Sequence, residues 1–119
     1  METEIIEYIE DNTSFRREVE IFTDPNATKA KNIIVIKVIH ATTPFGNLNA
    51  RNVTIYIHHF DPVESLNNAN TILTALNKKR GIDKNSWGVI GDIVIRYEGV
   101  DSMKRTVHSV LLKIGLQED

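Results

Sequence analysis

His58-His59-Phe60-Asp61 puts two imidazoles and a carboxylate side by side, the residue types that bind transition metals. The alternating run before them, Val53-Thr54-Ile55-Tyr56-Ile57, reads as a strand, and neighbouring strand side chains point to opposite faces. His58 and His59 therefore cannot close on one ion. A metal-dependent hydrolytic site would instead have to gather His58, His40 and a carboxylate such as Asp92 from separate strands, and His108 lies within the last strand. Serines at 14, 65, 86, 102 and 109 sit in no nucleophile elbow. The six glycines are scattered, so neither nucleotide-binding loop is formed. Asp92 and Glu98 read as the solvent side of a strand and its turn, where paired acids are more often hydrated than catalytic. The expectation is a protein that is not an enzyme, with no cofactor and no metal.

Asp61 has a better use as a helix N-cap. Pro62 then takes the first helical position, and Glu64 stands where a capping box needs its acid. Leu66, Ala69, Ile72, Leu73 and Leu76 follow at spacings of three and four, one apolar stripe. Lys78, Lys79 and Arg80 suit the last turn, and Gly81 suits a left-handed stop. This strand-then-helix unit, Arg51 to Gly81, organises the chain. Before it, residues 3–10 read as a short helix carrying Ile5, Ile6 and Ile9, and Phe15 to Phe22 as a short or edge strand. Residues 24–31 are polar enough for a mobile loop. Asn32 to His40 is apolar on both faces at its start, which predicts a central strand covered on two sides. Ala41 to Arg51, with Pro44 and Gly46, predicts a hairpin loop longer than a tight turn, able to act as an arm or to stay solvated. Ile82 to Gly88 reads as a connection holding the only tryptophan. Val89 to Tyr97 and Thr106 to Ile114 close the chain as two strands, with a turn at Glu98 to Met103 between them. The fold class is α+β: an antiparallel or mixed sheet of about four to five strands, with the central helix and the short N-terminal helix packed on one face.

The 119 residues suit a single domain, 1–119. Net charge is −2, which supplies no broad basic field for gripping nucleic acid. Arg16-Arg17, Lys78-Lys79-Arg80 and Lys104-Arg105 are separate clusters with local explanations, and Tyr56, Phe60 and Tyr97 form no RNA-binding signature. Without cysteine, disulfide, thiolate and cysteine–zinc chemistry drop out. The longest apolar run, Ile33 to Ile36, is too short to cross a bilayer, and the acidic start Met-Glu-Thr-Glu predicts an intracellular product.

The order of parts resembles the tail-terminator proteins of long-tailed bacteriophages and their minor-capsid and tail-completion relatives. The resemblance rests on the opening short helix, the pair Ile33–Ile39 and Val53–Phe60 joined by a long loop, the helix entry Phe-Asp-Pro-Val-Glu-Ser-Leu, and the closing Thr-Val-His-Ser-Val-Leu-Leu-Lys-Ile. It covers most of the chain; the short first helix and the polar stretch 15–31 depart from the commoner form. It implies a structural virion protein, assembled in the host cytoplasm, whose ring of about six copies caps the tail tube and joins it to the head connector or stopper protein. Its partners would be itself, the tube protein and the connector, with no membrane, and nucleic acid only passing through the ring. Interface candidates are Arg16 and Arg17 as a charged rim, and Phe45, Asn47, Asn49 and Arg51 on the arm. The rival reading is a small dimeric α+β binding or regulatory module.

Overall fold

The computed structural model describes residues 2–22, 32–45, 48–81 and 87–116, with backbone alone for 39–45 and 48–49. Six elements follow in order: α1 (Glu2–Asn12), β1 (Asn32–Phe45), β2 (Leu48–His59), α2 (Pro62–Asn77), β3 (Trp87–Val100) and β4 (Thr106–Leu116). The strands form one antiparallel sheet in the order β1-β2-β4-β3. The α+β class expected from the sequence is the observed one. Both helices lie on one face, where Ile34, Ile55, Ile57, Val110 and Ile114 meet Ile5 and Ile9 of α1 and Ile72 and Leu76 of α2. Tyr8 ties the helices together, its hydroxyl donating to Ala75 O at 2.9 Å while its ring meets Trp87 edge-on at 5.5 Å. Among the described residues no helix is long and apolar enough to cross a membrane.

The α2 entry forms as its sequence requires, with one substitution of partner. Asp61 has an extended backbone and its Oδ1 accepts from Val63 N at 2.9 Å, with Pro62 next. The reciprocal bond of a capping box is absent, because the Asp61 amide donates to His59 Nδ1 at 2.9 Å instead of to Glu64. The exit differs from expectation. The helix stops at Asn77 with Lys78 still right-handed, and Gly81 is not among the left-handed glycines. Tertiary bonds end it: Lys79 O accepts from Val89 N at 2.6 Å, and Arg80 Nη1 donates to Gly91 O at 2.7 Å. The chain is drawn off the helix axis onto the edge of β3, so Trp87 and Gly88 open that strand rather than belonging to the connection.

Two further expectations are corrected. β1 is an edge strand and not a central one. Part of its edge is covered by residues 20–22, which replace the expected strand at 15–22 with a single bridge from Ile21 to Ile34. Phe22 N donates to Ile34 O at 2.9 Å, and Ile34 N donates to Glu20 O at 2.6 Å. That local cover explains an edge strand with Ile33, Ile34 and Val35 all buried. Residues 43–45 and 48–51, expected as loop, are ladder: Thr43, Pro44 and Phe45 pair with Ala50, Asn49 and Leu48, after an irregularity between Ile39 and Thr43. β4 pairs with this end as far as Asn49↔Leu116. The loop expected at 24–31 lies outside the described residues, as do residues 117–119.

Candidate functional site

The chemistry-bearing side chains separate by sheet face. His58 is fixed by strand parity on the face away from the helices, since Ile57 and Ile55 take the other. Across the sheet, β3 and β4 are joined by a turn that Asp101 closes with its own side chain. Asp101 Oδ1 accepts from the amides of Met103 and Arg105, each at 2.9 Å. Its Oδ2 accepts from His58 Nδ1 at 2.9 Å and from Arg105 Nε at 2.8 Å. Lys104 completes the turn with φ at 69°. Arg105, which the sequence places in a surface-like Lys104-Arg105 pair, is 1 % exposed.

Electrostatics follow from that geometry. Burial opposes ionisation of Asp101, yet the Arg105 amide, His58, the Arg105 guanidinium and the Met103 amide together outweigh it and hold the carboxyl at about 2. Burial lowers the His58 pKa against the pull of Asp101, so the ring is neutral near pH 7. An ionised carboxylate only accepts hydrogen bonds, so His58 carries its proton on Nδ1 and keeps Nε2 as an acceptor. A depression of about 290 Å³ opens beside this ring. Buried Val35 and Val107 and exposed Val100 make its lining apolar, with Tyr56 and His58 beside them. Lys37 stands at the rim with Nζ 5.5 Å from the Tyr56 ring centre. Glu98 is opposite, held by Arg96 Nε at 2.7 Å and by the Ser109 hydroxyl at 2.8 Å.

On the helix side, Ser65 and His108 make a second polar pair. Ser65 is 0 % exposed, and its Oγ lies 2.8 Å from His108 Nδ1, 3.2 Å from Ile57 O and 3.1 Å from Thr106 O. One hydroxyl has one proton; when His108 donates its Nδ1 proton to Oγ, the hydroxyl proton is left for the two carbonyls, which share it as a bifurcated bond. Burial lowers the His108 pKa, in keeping with a neutral ring. The pair resembles a nucleophile with its base, but a serine sealed between α2 and the sheet meets no substrate. It fastens helix to sheet.

The residues weighed for metal chemistry are not brought together. His58 pairs with Ile33, which puts His40 seven residues further along β1, about 23 Å away. Asp92 sits in the β3 irregularity between Ile90 and Val94, about five residues along β4 from the Val107 that pairs with His58, or about 16 Å. Asp92 and Glu98 are likewise about 20 Å apart along one strand. Among the described residues no group of three His, Asp or Glu could hold a metal ion.

The interface candidates fall in two places. Arg16 closes the end of α1, its Nη1 donating to Glu10 O, Thr13 O and Phe15 O at 2.6, 2.9 and 2.8 Å. Arg17 pairs with Glu10 at 2.8 Å and stays half exposed. Arg51 is half-buried in the ladder opposite Ile114, while Phe45 and Asn49 hold backbone positions at the hairpin end. Asn47 and the side chains of Phe45 and Asn49 lie outside the described residues. Missing from the expectations were Asp101, Arg105 and the depression itself. The one signal in the sequence was the spacing Asp101-x-Met103-x-Arg105 between two strands, an acid able to bond amides two and four residues on.

Comparison with protein-family models and with curated proteins finds no match for this chain.

Proposed function

We propose that this chain is a structural subunit of a phage tail, a tail terminator whose ring caps the tail tube and receives the head connector. The observation that carries the reading is the arrangement of the layers. A long antiparallel sheet has both helices on one face, and its other face shows Lys37, Tyr56 and Arg96 to solvent. The molecule is correspondingly elongated, 43 × 24 × 23 Å. Such a sheet offers distinct surfaces to two neighbours, as a head-to-tail ring requires. The element order supports the same reading: short helix, hairpin, Asp61-Pro62-capped helix, closing hairpin. In that ring Arg17 and the β1–β2 hairpin end, with Phe45, Asn47, Asn49 and Arg51, face a neighbour, while Arg16 holds the α1 end in shape.

The test is to add the purified protein to tail tubes polymerised from the tube protein and to image them. Density at tube ends, with elongation stopped, is the expected result. Binding along the tube wall, or none, contradicts it. A second reading, a small binding module, is favoured by the depression beside His58. It predicts a closed dimer.

A further inference from the structure

Around the depression beside His58, some polar groups are already matched and some are not. Glu98 is matched, since Arg96 Nε donates to it at 2.7 Å and the Ser109 hydroxyl at 2.8 Å. Asp101 is matched by the two turn amides, by His58 and by Arg105 as its cationic partner. Among the described residues, three lining groups are left over. His58 is 6 % exposed, and with Nδ1 bonded to Asp101 its Nε2 has no partner. That atom is not sealed from solvent, so the little surface the ring keeps opens into the depression it lines. An acceptor on a side chain so deeply buried is normally satisfied. The Tyr56 hydroxyl has no partner either, and Lys37 has no carboxylate, its Nζ resting 5.5 Å from the Tyr56 ring centre. Lys37, Arg96 and Arg105 stand against Glu98 and Asp101, and both acids are held by the arginines, so the uncompensated charge is the lysine's.

We propose that this depression binds a small, largely apolar anion carrying one O–H or N–H donor, of which an aromatic hydroxy acid is the simplest example. The donor meets His58 Nε2, and the anionic group meets Lys37 with help from the Tyr56 hydroxyl. The apolar body lies against Val35, Val107 and Val100. Spacing agrees with a single ring between the two polar ends. Lys37 is level with Thr54, four residues from His58 along β2, but its side chain leans back over Tyr56, halfway between them. That leaves cation and acceptor about 7 Å apart. The volume of about 290 Å³ is at the small end of ligand sites, too little for a dinucleotide. A cation is repelled by Lys37, and a plain hydrocarbon leaves Nε2 unmet. The site needs only the fold of one chain, so it stands or falls separately from the ring.

The experiment titrates the wild-type chain and Lys37→Gln with 4-hydroxybenzoate and with 4-hydroxyphenylacetate, one carbon longer, following the ring resonances of His58 and Tyr56. The controls are 4-fluorobenzoate, which lacks the donor, and p-cresol, which lacks the anion. Lys37 is an exposed side chain, so its replacement leaves the fold in place. Expected is saturable binding of at least one hydroxy acid, with Kd on the order of a millimolar, shifting both rings. Each control should bind about fivefold more weakly, and Lys37→Gln should weaken the hydroxy acid by about threefold or more. Neither acid shifting His58 and Tyr56 overturns the proposal. So does 4-fluorobenzoate or p-cresol binding as tightly as the hydroxy acid, or Lys37→Gln binding it unchanged.

Discussion

Replacing Asp101 by Asn tests the polar node under the open face. In the wild type one carboxylate accepts four hydrogen bonds, two from the turn amides and two from His58 and Arg105. The amide of Asn can still accept from Met103 and Arg105 N with its oxygen. Its nitrogen then faces the His58 Nδ1–H and the Arg105 Nε–H, donor against donors. His58 can shift its proton to Nε2 and accept; the guanidinium cannot. The lost charge-assisted bond to Arg105, which is 1 % exposed, costs about 1.5–3 kcal/mol, and the His58 rearrangement adds about 1. A loss of about 3 kcal/mol is expected in urea unfolding, with the slope unchanged. Asp92→Asn, on an exposed position, serves as the control and should stay within about 0.5 kcal/mol. Acid titration adds a second readout. The folded pKa of Asp101 lies at about 2, below its ordinary 3.8, so its contribution is complete above pH 3.8 and lost as pH falls towards 2. After discounting for the partial exposure of the carboxylate, that contribution is on the order of 1–2 kcal/mol. Asp101→Asn should flatten the stability curve in that window. A variant within about 1 kcal/mol of wild type, with the acid limb intact, would refute the reasoning.

Three other outcomes follow from the same structure. Ser65→Ala strips a hydroxyl from between His108, Ile57 O and Thr106 O and should cost about 1–3 kcal/mol by thermal or urea unfolding; a neutral result would mean that water replaces it. His58 and His108 both have lowered pKa values, so stability is full above about pH 6.5 and should decline as pH falls below it, checked by melting temperature across pH 7.5 to 5. A flat profile would show that the rings are not held neutral. Gly99 has φ at 101° with open space where a Cβ would be, so Gly99→Ala should cost about 1–2 kcal/mol from backbone strain alone, and a gain in stability would contradict it.

What could be read from the residues was local. The α2 cap depends on Asp61, Pro62 and Val63, and the β2 parity on a run of alternating residues, so neither needed the rest of the chain. The stripe of α2 was read one step off at its start. Leu66 is 41 % exposed and Ser65 occupies the buried position, because the sheet presents polar partners there, His108 and two carbonyls. A hydrophobic pattern cannot anticipate a serine chosen for its hydrogen bonds. The position of β1 was misjudged for a related reason: burial on both faces implied neighbours on both edges, whereas residues 20–22 cover one edge with a single bridge. The node beside the depression joins His58 to Asp101 across forty-three residues, and depends on β2 lying next to β4. No short-range signal encodes that adjacency. Arg105 looked like half of a surface pair until the turn folded it under Asp101.

The ring is tested most directly by the mass of the purified protein across concentration, by sedimentation or light scattering. Assembly of the 13.5 kDa chain into a closed species of about six copies, alone or on tube ends, is the predicted result. A tight dimer whose mass does not change with concentration, with or without tubes, would contradict it.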